Sequence, residues 1–270
     1  MTANRYPVVL FDLYGTLVDI HTDEQSEDAW TALRAALYRE GAEYPTNGRL
    51  REQFAREVVR ANARRDRGDW FEPDLLPAYH ALFRACWVDG TLDQARKVAW
   101  TFRRASTSKL RLFPGAKELL RTLKGEGRRV VLISNAQASY TWPELKLLGL
   151  DDMFDDVLIS SDEGIRKPSV EIFRHALIRE EVEPQYALMV GNDEASDIFG
   201  AAQAGIDAVY LHTDDNTGGE TADQAVASFE GADYQACSTT SIRPKPKHPG
   251  PTEWGKGDEA MPGMPDNYRK

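Results

Sequence analysis

The chain has 270 residues, 41% hydrophobic and 28% charged, a balance that supports a packed core and excludes a wholly disordered polypeptide. Its 33 Lys and Arg against 43 Asp and Glu leave a formal charge of -10. That charge excludes a nucleic-acid backbone or an anionic membrane as the main partner, and an anionic ligand must be bound locally. Two cysteines, Cys86 and Cys237, lack the spacing of a disulfide framework or a zinc site. The longest apolar runs are far too short to span a bilayer, and no basic-then-apolar leader opens the chain, so it reads as cytoplasmic.

Residues 7–13 (PVVLFDL) predict a short buried parallel strand ending at the turn signal Tyr14-Gly15-Thr16. The next stretch, up to Pro114, holds no strand-like run. Its apolar spacing is helical, in four stripes: Ala29, Trp30, Leu33 and Leu37; Leu50, Phe54, Val58 and Ala61; Leu75, Tyr79, Leu82 and Phe83; Val98, Phe102 and Ala105. Trp30 and Trp87 read as packing residues of that bundle, and the arginines from Arg49 to Arg67 as a solvated helix face.

After Pro114, strand runs at Val130–Ile133, Val157–Ile159, Ala187–Val190 and Ala208–Leu211 alternate with helical patterns at Lys117–Lys124, Val170–Arg179 and Ile198–Ala204. Strand alternating with helix implies right-handed crossovers and a doubly wound parallel sheet. The fold class is therefore α/β, Rossmann-like, with an inserted all-α helical cap placed to act as a lid. The core takes residues 1–18 and 111–240, the cap residues 19–110. Residues 241–270, rich in Pro and Gly, form a tail that cannot fold alone.

In such a sheet, ligands bind where the strands end at their carboxyl side. Asp12 ends the first strand, Ser134-Asn135 the second, and Leu188–Val190 runs into Gly191-Asn192-Asp193, with Asp197 one turn on; Lys167-Pro168 precedes a helix. A nucleophilic carboxylate, a hydroxyl with backbone amides for an anion, a lysine and a second acidic cluster for a cation are what an aspartyl-intermediate phosphotransfer needs.

These segments resemble, in order, the four motifs of the haloacid dehalogenase-like hydrolase superfamily: Asp12-Leu13-Tyr14-Gly15-Thr16; Leu132-Ile133-Ser134-Asn135; Ser161 to Pro168 with Lys167; and Val190-Gly191-Asn192-Asp193 with Asp197 and Gly200-Ala201. The resemblance covers about residues 7–240 and implies Asp12 as nucleophile, with Ser134 and Lys167 as its catalytic companions. It implies Tyr14, Gly15, Thr16 and Asn135 around the substrate, and Mg2+ on Asp12, Tyr14, Asn192, Asp193 and Asp197.

Two positions depart from the family pattern. Tyr14 stands where its phosphatases carry a second Asp, and a phenol with a pKa near 10 is a poor base at neutral pH. Asn192 stands where they carry a metal-binding Asp, so Asp193 or Asp197 must compensate. The resemblance implies a magnesium-dependent phosphatase of a small phosphorylated metabolite. Two alternatives stay open: a metal-independent 2-haloacid dehalogenase, whose departing halide needs no proton, and a catalytically weakened binding protein.

Overall fold

The computed structural model describes residues 5–63 and 68–213 and the backbone of residues 227–230; the predicted tail lies outside them. The chain begins with β1 (Val8–Phe11) and β2 (Val18–Thr22), then four helices, α1 (Glu27–Arg39), α2 (Asn47–Asn62), α3 (Leu76–Ala85) and α4 (Leu92–Ser106). It returns through β3 (Thr107–Leu112) and α5 (Ala116–Gly125) to β4 (Arg129–Ser134), α6 (Ala138–Leu148), β5 (Asp156–Ile159), α7 (Ser160–Glu163) and α8 (Val170–Arg179). β6 (Ala187–Gly191) runs into a π-helical turn (Glu194–Phe199), followed by α9 (Gly200–Gln203), β7 (Asp207–His212) and β8 (Ala227–Glu230).

The six-stranded sheet has the order β5-β4-β1-β6-β7-β8, every neighbouring pair parallel. The chain leaves β1 on one side and comes back on the other, so the switch in strand order falls at the carboxyl end of β1. Alternate residues of β1 face opposite sides of the sheet. Val9 and Phe11 pack with Leu119, Leu120 and Leu123 of α5 and Leu145 of α6. Val8 and Leu10 pack with Ile172, Phe173 and Ala176 of α8. A continuous apolar strand is what burial on both faces requires.

The four helices share their own apolar cluster around Trp30, Leu33, Tyr79, Phe83 and Phe102, and Tyr140 of α6 joins it. Side-chain caps set their starts: Ser26 accepts from the Ala29 amide, Thr46 from that of Arg49, and Thr91 forms a reciprocal box with Gln94.

Two expectations fail. The stretch before Pro114 holds two strands, β2 and β3, paired as an antiparallel ribbon through which the helical insert joins the sheet domain. Trp87 does not pack: it is 98% exposed at φ 60°. The helix expected over Ile198–Ala204 is present, as the end of the π-helical turn and the one-turn α9 that follows it. Two helices went unpredicted, the one-turn α7 and α6, whose Pro143 obscures the helical pattern. The arginine expectation holds for Arg49 and Arg60, exposed and paired to Glu52 and Glu57, but not for Arg51, which is half-buried over the Trp30 ring and paired to Glu27. Among the described residues no helix is long and apolar enough to cross a membrane.

Candidate active site

Asp12 follows β1 at the switch point, with its amide bonded to the Val190 carbonyl of β6 at 3.0 Å. The chain then turns tightly: the Leu13 carbonyl accepts from the Leu17 and Val18 amides at 2.8 and 2.9 Å. Gly15 lies at φ 82°, and a Cβ there would fall 2.3 Å from the Asn192 side-chain nitrogen. Only glycine allows both that backbone and that approach. Thr16 is wholly buried and donates its hydroxyl to Asn192 Oδ1 at 3.1 Å, while Thr213 donates to the Gly15 carbonyl at 2.7 Å. Gly15 and Thr16 thus brace the loop, with the Gly15 amide itself spent on the Val18 carbonyl.

Lys167 places its Nζ 2.7 Å from Asp12 Oδ1 and 2.6 Å from Asp197 Oδ1, inside the protein. Burial works against the ammonium, but the two carboxylates outweigh it and hold its pKa above the ordinary lysine range. Burial pushes the Asp197 carboxyl up, with Lys167 opposing. Asn135 fixes the lysine's backbone from both sides: its Oδ1 accepts from the Lys167 amide at 2.8 Å and its Nδ2 donates to the Lys167 carbonyl at 2.9 Å. Ser134, at the end of β4, is fully buried, and its Oγ has no hydrogen-bond partner among the described residues. Such a hydroxyl costs about 1–3 kcal/mol, a cost that a ligand oxygen placed there removes.

The residues implied as magnesium ligands come together only in part. Asp197 spends Oδ1 on Lys167 and Oδ2 on the Asp193 amide, and Asp193 Oδ1 accepts from the Ser196 amide. Among the described residues no three His, Cys, Asp or Glu side chains lie together as a metal site. Asp12 and Tyr14 follow the end of β1, and Asn192 follows that of β6; a carboxylate, a backbone carbonyl and an amide oxygen are donor types that a hard cation takes, with a single carboxylate among them.

A family model described as haloacid dehalogenase-like hydrolase matches residues 6–205. The chain belongs to that family. This hydrolase is 38% identical to a glyceraldehyde 3-phosphate phosphatase of Pyrococcus furiosus over 207 residues, 77% of this chain and 81% of the relative. A glyceraldehyde 3-phosphate phosphatase of Methanothermobacter thermautotrophicus is 36% identical over 114 residues, 42% of this chain and 50% of that relative. A 2-haloacid dehalogenase from Pseudomonas syringae shares the fold, with TM-score 0.60 at 23% identity, over 86% of this chain and 96% of that one.

The hydrolase also holds buried polar residues outside the motifs, Arg103, Thr141 and Glu144, gathered around Tyr14. Tyr14 donates its phenol to Glu144 Oε2 and lies 3.2 Å from Thr141 Oγ1, both on α6. Burial first, then the Glu144 charge, pushes that phenol well above the ordinary tyrosine range. Arg103 of α4 donates to Glu144 Oε1 at 2.6 Å. Near Lys167, the loop before α3 is tied to the sheet domain: the Arg166 amide donates to the Trp70 carbonyl at 2.9 Å, and Gln137 Nε2 donates to Glu72 Oε1 at 3.0 Å. A legible signal for the α6 contacts was the helical spacing of Tyr140, Thr141, Glu144 and Leu145.

Proposed function

We propose that this hydrolase is a phosphatase of small phosphorylated metabolites, working through an aspartyl-phosphate on Asp12 with magnesium as cofactor. The observation that carries the reading is the buried Asp12–Lys167–Asp197 group beside the unpartnered Ser134 hydroxyl, a nucleophile and a cation next to an open donor. The names of the two phosphatase relatives support the phosphate ester as the bond cleaved.

In this mechanism Asp12 attacks phosphorus in line, its free oxygen oriented by the Lys167 bond to the other; the bond from phosphorus to the substrate oxygen breaks, and the departing alkoxide takes its proton from water. Lys167 and Ser134 hold the oxygens of the transferring group, and the bracing by Gly15, Thr16 and Asn135 keeps nucleophile and lysine in register. Asp12, the Tyr14 carbonyl and Asn192 would hold magnesium, which when bound neutralises charge on the phosphoryl oxygens. Water then cleaves the aspartyl-phosphate and returns Asp12 to its carboxylate. The helical insert, as a cap over the strand ends, excludes bulk solvent from that intermediate.

The test incubates the protein with glyceraldehyde 3-phosphate, p-nitrophenyl phosphate and 2-chloropropionate, each with magnesium and with chelator. Phosphate release that needs magnesium and is lost in Asp12→Asn is the expected result. Chloride release indifferent to chelator would replace this reading with dehalogenation, which the Asn192 amide in a one-carboxylate donor set also suits. No turnover of any substrate, with no fluoroberyllate adduct on Asp12, would replace it with a binding role.

A further inference from the structure

One buried ionic group stands outside the steps above. Arg103 comes from the helical insert, Glu144 from α6 and Tyr14 from the loop after β1, and the first two are 8% and 1% exposed. Glu144 accepts from Tyr14 on one carboxylate oxygen and from Arg103 on the other. The Arg103 guanidinium lies 5.7 Å from the Tyr14 ring centre and 5.3 Å from that of Tyr140. Its other end reaches Glu24 at 3.4 Å, just past the ribbon strand β2.

A buried ion pair contributes little net stability, because desolvation offsets most of its attraction. Its effect here is geometric. The Tyr14 backbone is held in the turn that follows Asp12, and its phenol is held by a carboxylate that the insert's arginine orients. The ring therefore cannot move without breaking a charge-assisted bond in a dry environment.

We propose that Arg103 and Glu144 are positioning residues that hold the Asp12–Tyr14 loop in its attacking geometry, and do so only while α4 of the insert packs against α6. Insert position is thereby reported to the nucleophile through two side chains. The inference rests on the phosphatase reading for its assay.

The experiment measures kcat, KM and Tm with p-nitrophenyl phosphate for wild type, Glu144→Gln, Arg103→Lys and the double variant Arg103→Met/Glu144→Leu. Glu144→Gln lowers kcat by about 10²-fold with little change in KM, as displacement of a reacting group does. Arg103→Lys, which keeps the charge but not the planar fork, keeps Tm and lowers kcat less. The double apolar variant recovers Tm, since a buried pair is often replaceable by packing, yet its kcat stays about 10²-fold down. Recovery of kcat together with Tm in the double variant overturns the proposal, as does wild-type kcat in Glu144→Gln. A wild-type protein that releases no phosphate overturns the phosphatase reading and this inference with it, a result distinct from an active wild type whose variants match it.

Discussion

Lys167 has two carboxylates within 2.7 Å and is 2% exposed, so its ammonium is the charge that makes Asp12 and Asp197 tolerable inside the protein. Lys167→Met leaves two facing buried carboxylates without a counter-ion. We expect about 3–5 kcal/mol of destabilisation in denaturant titration and loss of phosphate release; adding Asp197→Asn recovers part of the stability and none of the turnover. An unchanged unfolding midpoint in Lys167→Met would refute this account. Other single residues serve less directly than their motif positions imply. Thr16, Gly15 and Asn135 brace their neighbours, and the Tyr14 phenol is committed to Glu144. Residue type at a motif position predicted where these groups lie, while the hydrogen bonds that occupy them depend on atoms far along the chain.

Among the elements, the β2–β3 ribbon was the least legible in the sequence. Its residues alternate apolar with polar over only five or six positions, and its partners are remote, with His21 opposite Lys109. Periodicity reports a local face and carries no information about which distant segment pairs with it. The parallel strands were legible because burial on both faces demands an unbroken apolar run. Within the ribbon, Asp19 sits between Arg111 at 2.7 Å and Lys109 at 3.1 Å. Burial works to raise its carboxyl, but the bonds from Arg111 and Lys109 outweigh it and the pKa is lowered. A lowered folded pKa stabilises above the unfolded value near 3.9, and that contribution is lost as pH falls through the folded one. Asp19→Asn should therefore flatten the acid limb of stability below about pH 4, by under about 1 kcal/mol because Arg111 is largely exposed. Urea titrations at pH 3 and pH 6 measure it, and an identical acid slope in both proteins counts against it.

At the scale of the molecule, the helical insert and the sheet domain are joined by more than the ribbon. Tyr140 belongs to α6 yet packs in the insert's cluster, with its hydroxyl bonded to that of Tyr79. Tyr140→Ala opens a cavity there and strips the Tyr79 hydroxyl of its partner, for a loss of about 3–5 kcal/mol, as for other large aromatics. Thermal unfolding followed by far-ultraviolet circular dichroism should show one lowered transition; an unshifted one means that the insert is stabilised without α6.

The sequence by itself determined the parallel sheet, the order of the four motifs and the positions of Asp12 and Ser134 at strand ends and of Lys167 before α8, because apolar runs and turn residues are local consequences of burial and backbone geometry. Tertiary structure alone decided how those groups are spent. It turned Asp197 toward Lys167 and the Asp193 amide and, among the described residues, left the Ser134 hydroxyl without a partner. It also set Arg103 and Glu144, 41 residues apart, against Tyr14. The physical reason is that a charge takes its role from its nearest counter-charge in a medium without water, and in a doubly wound fold that neighbour comes from another strand end or from the insert.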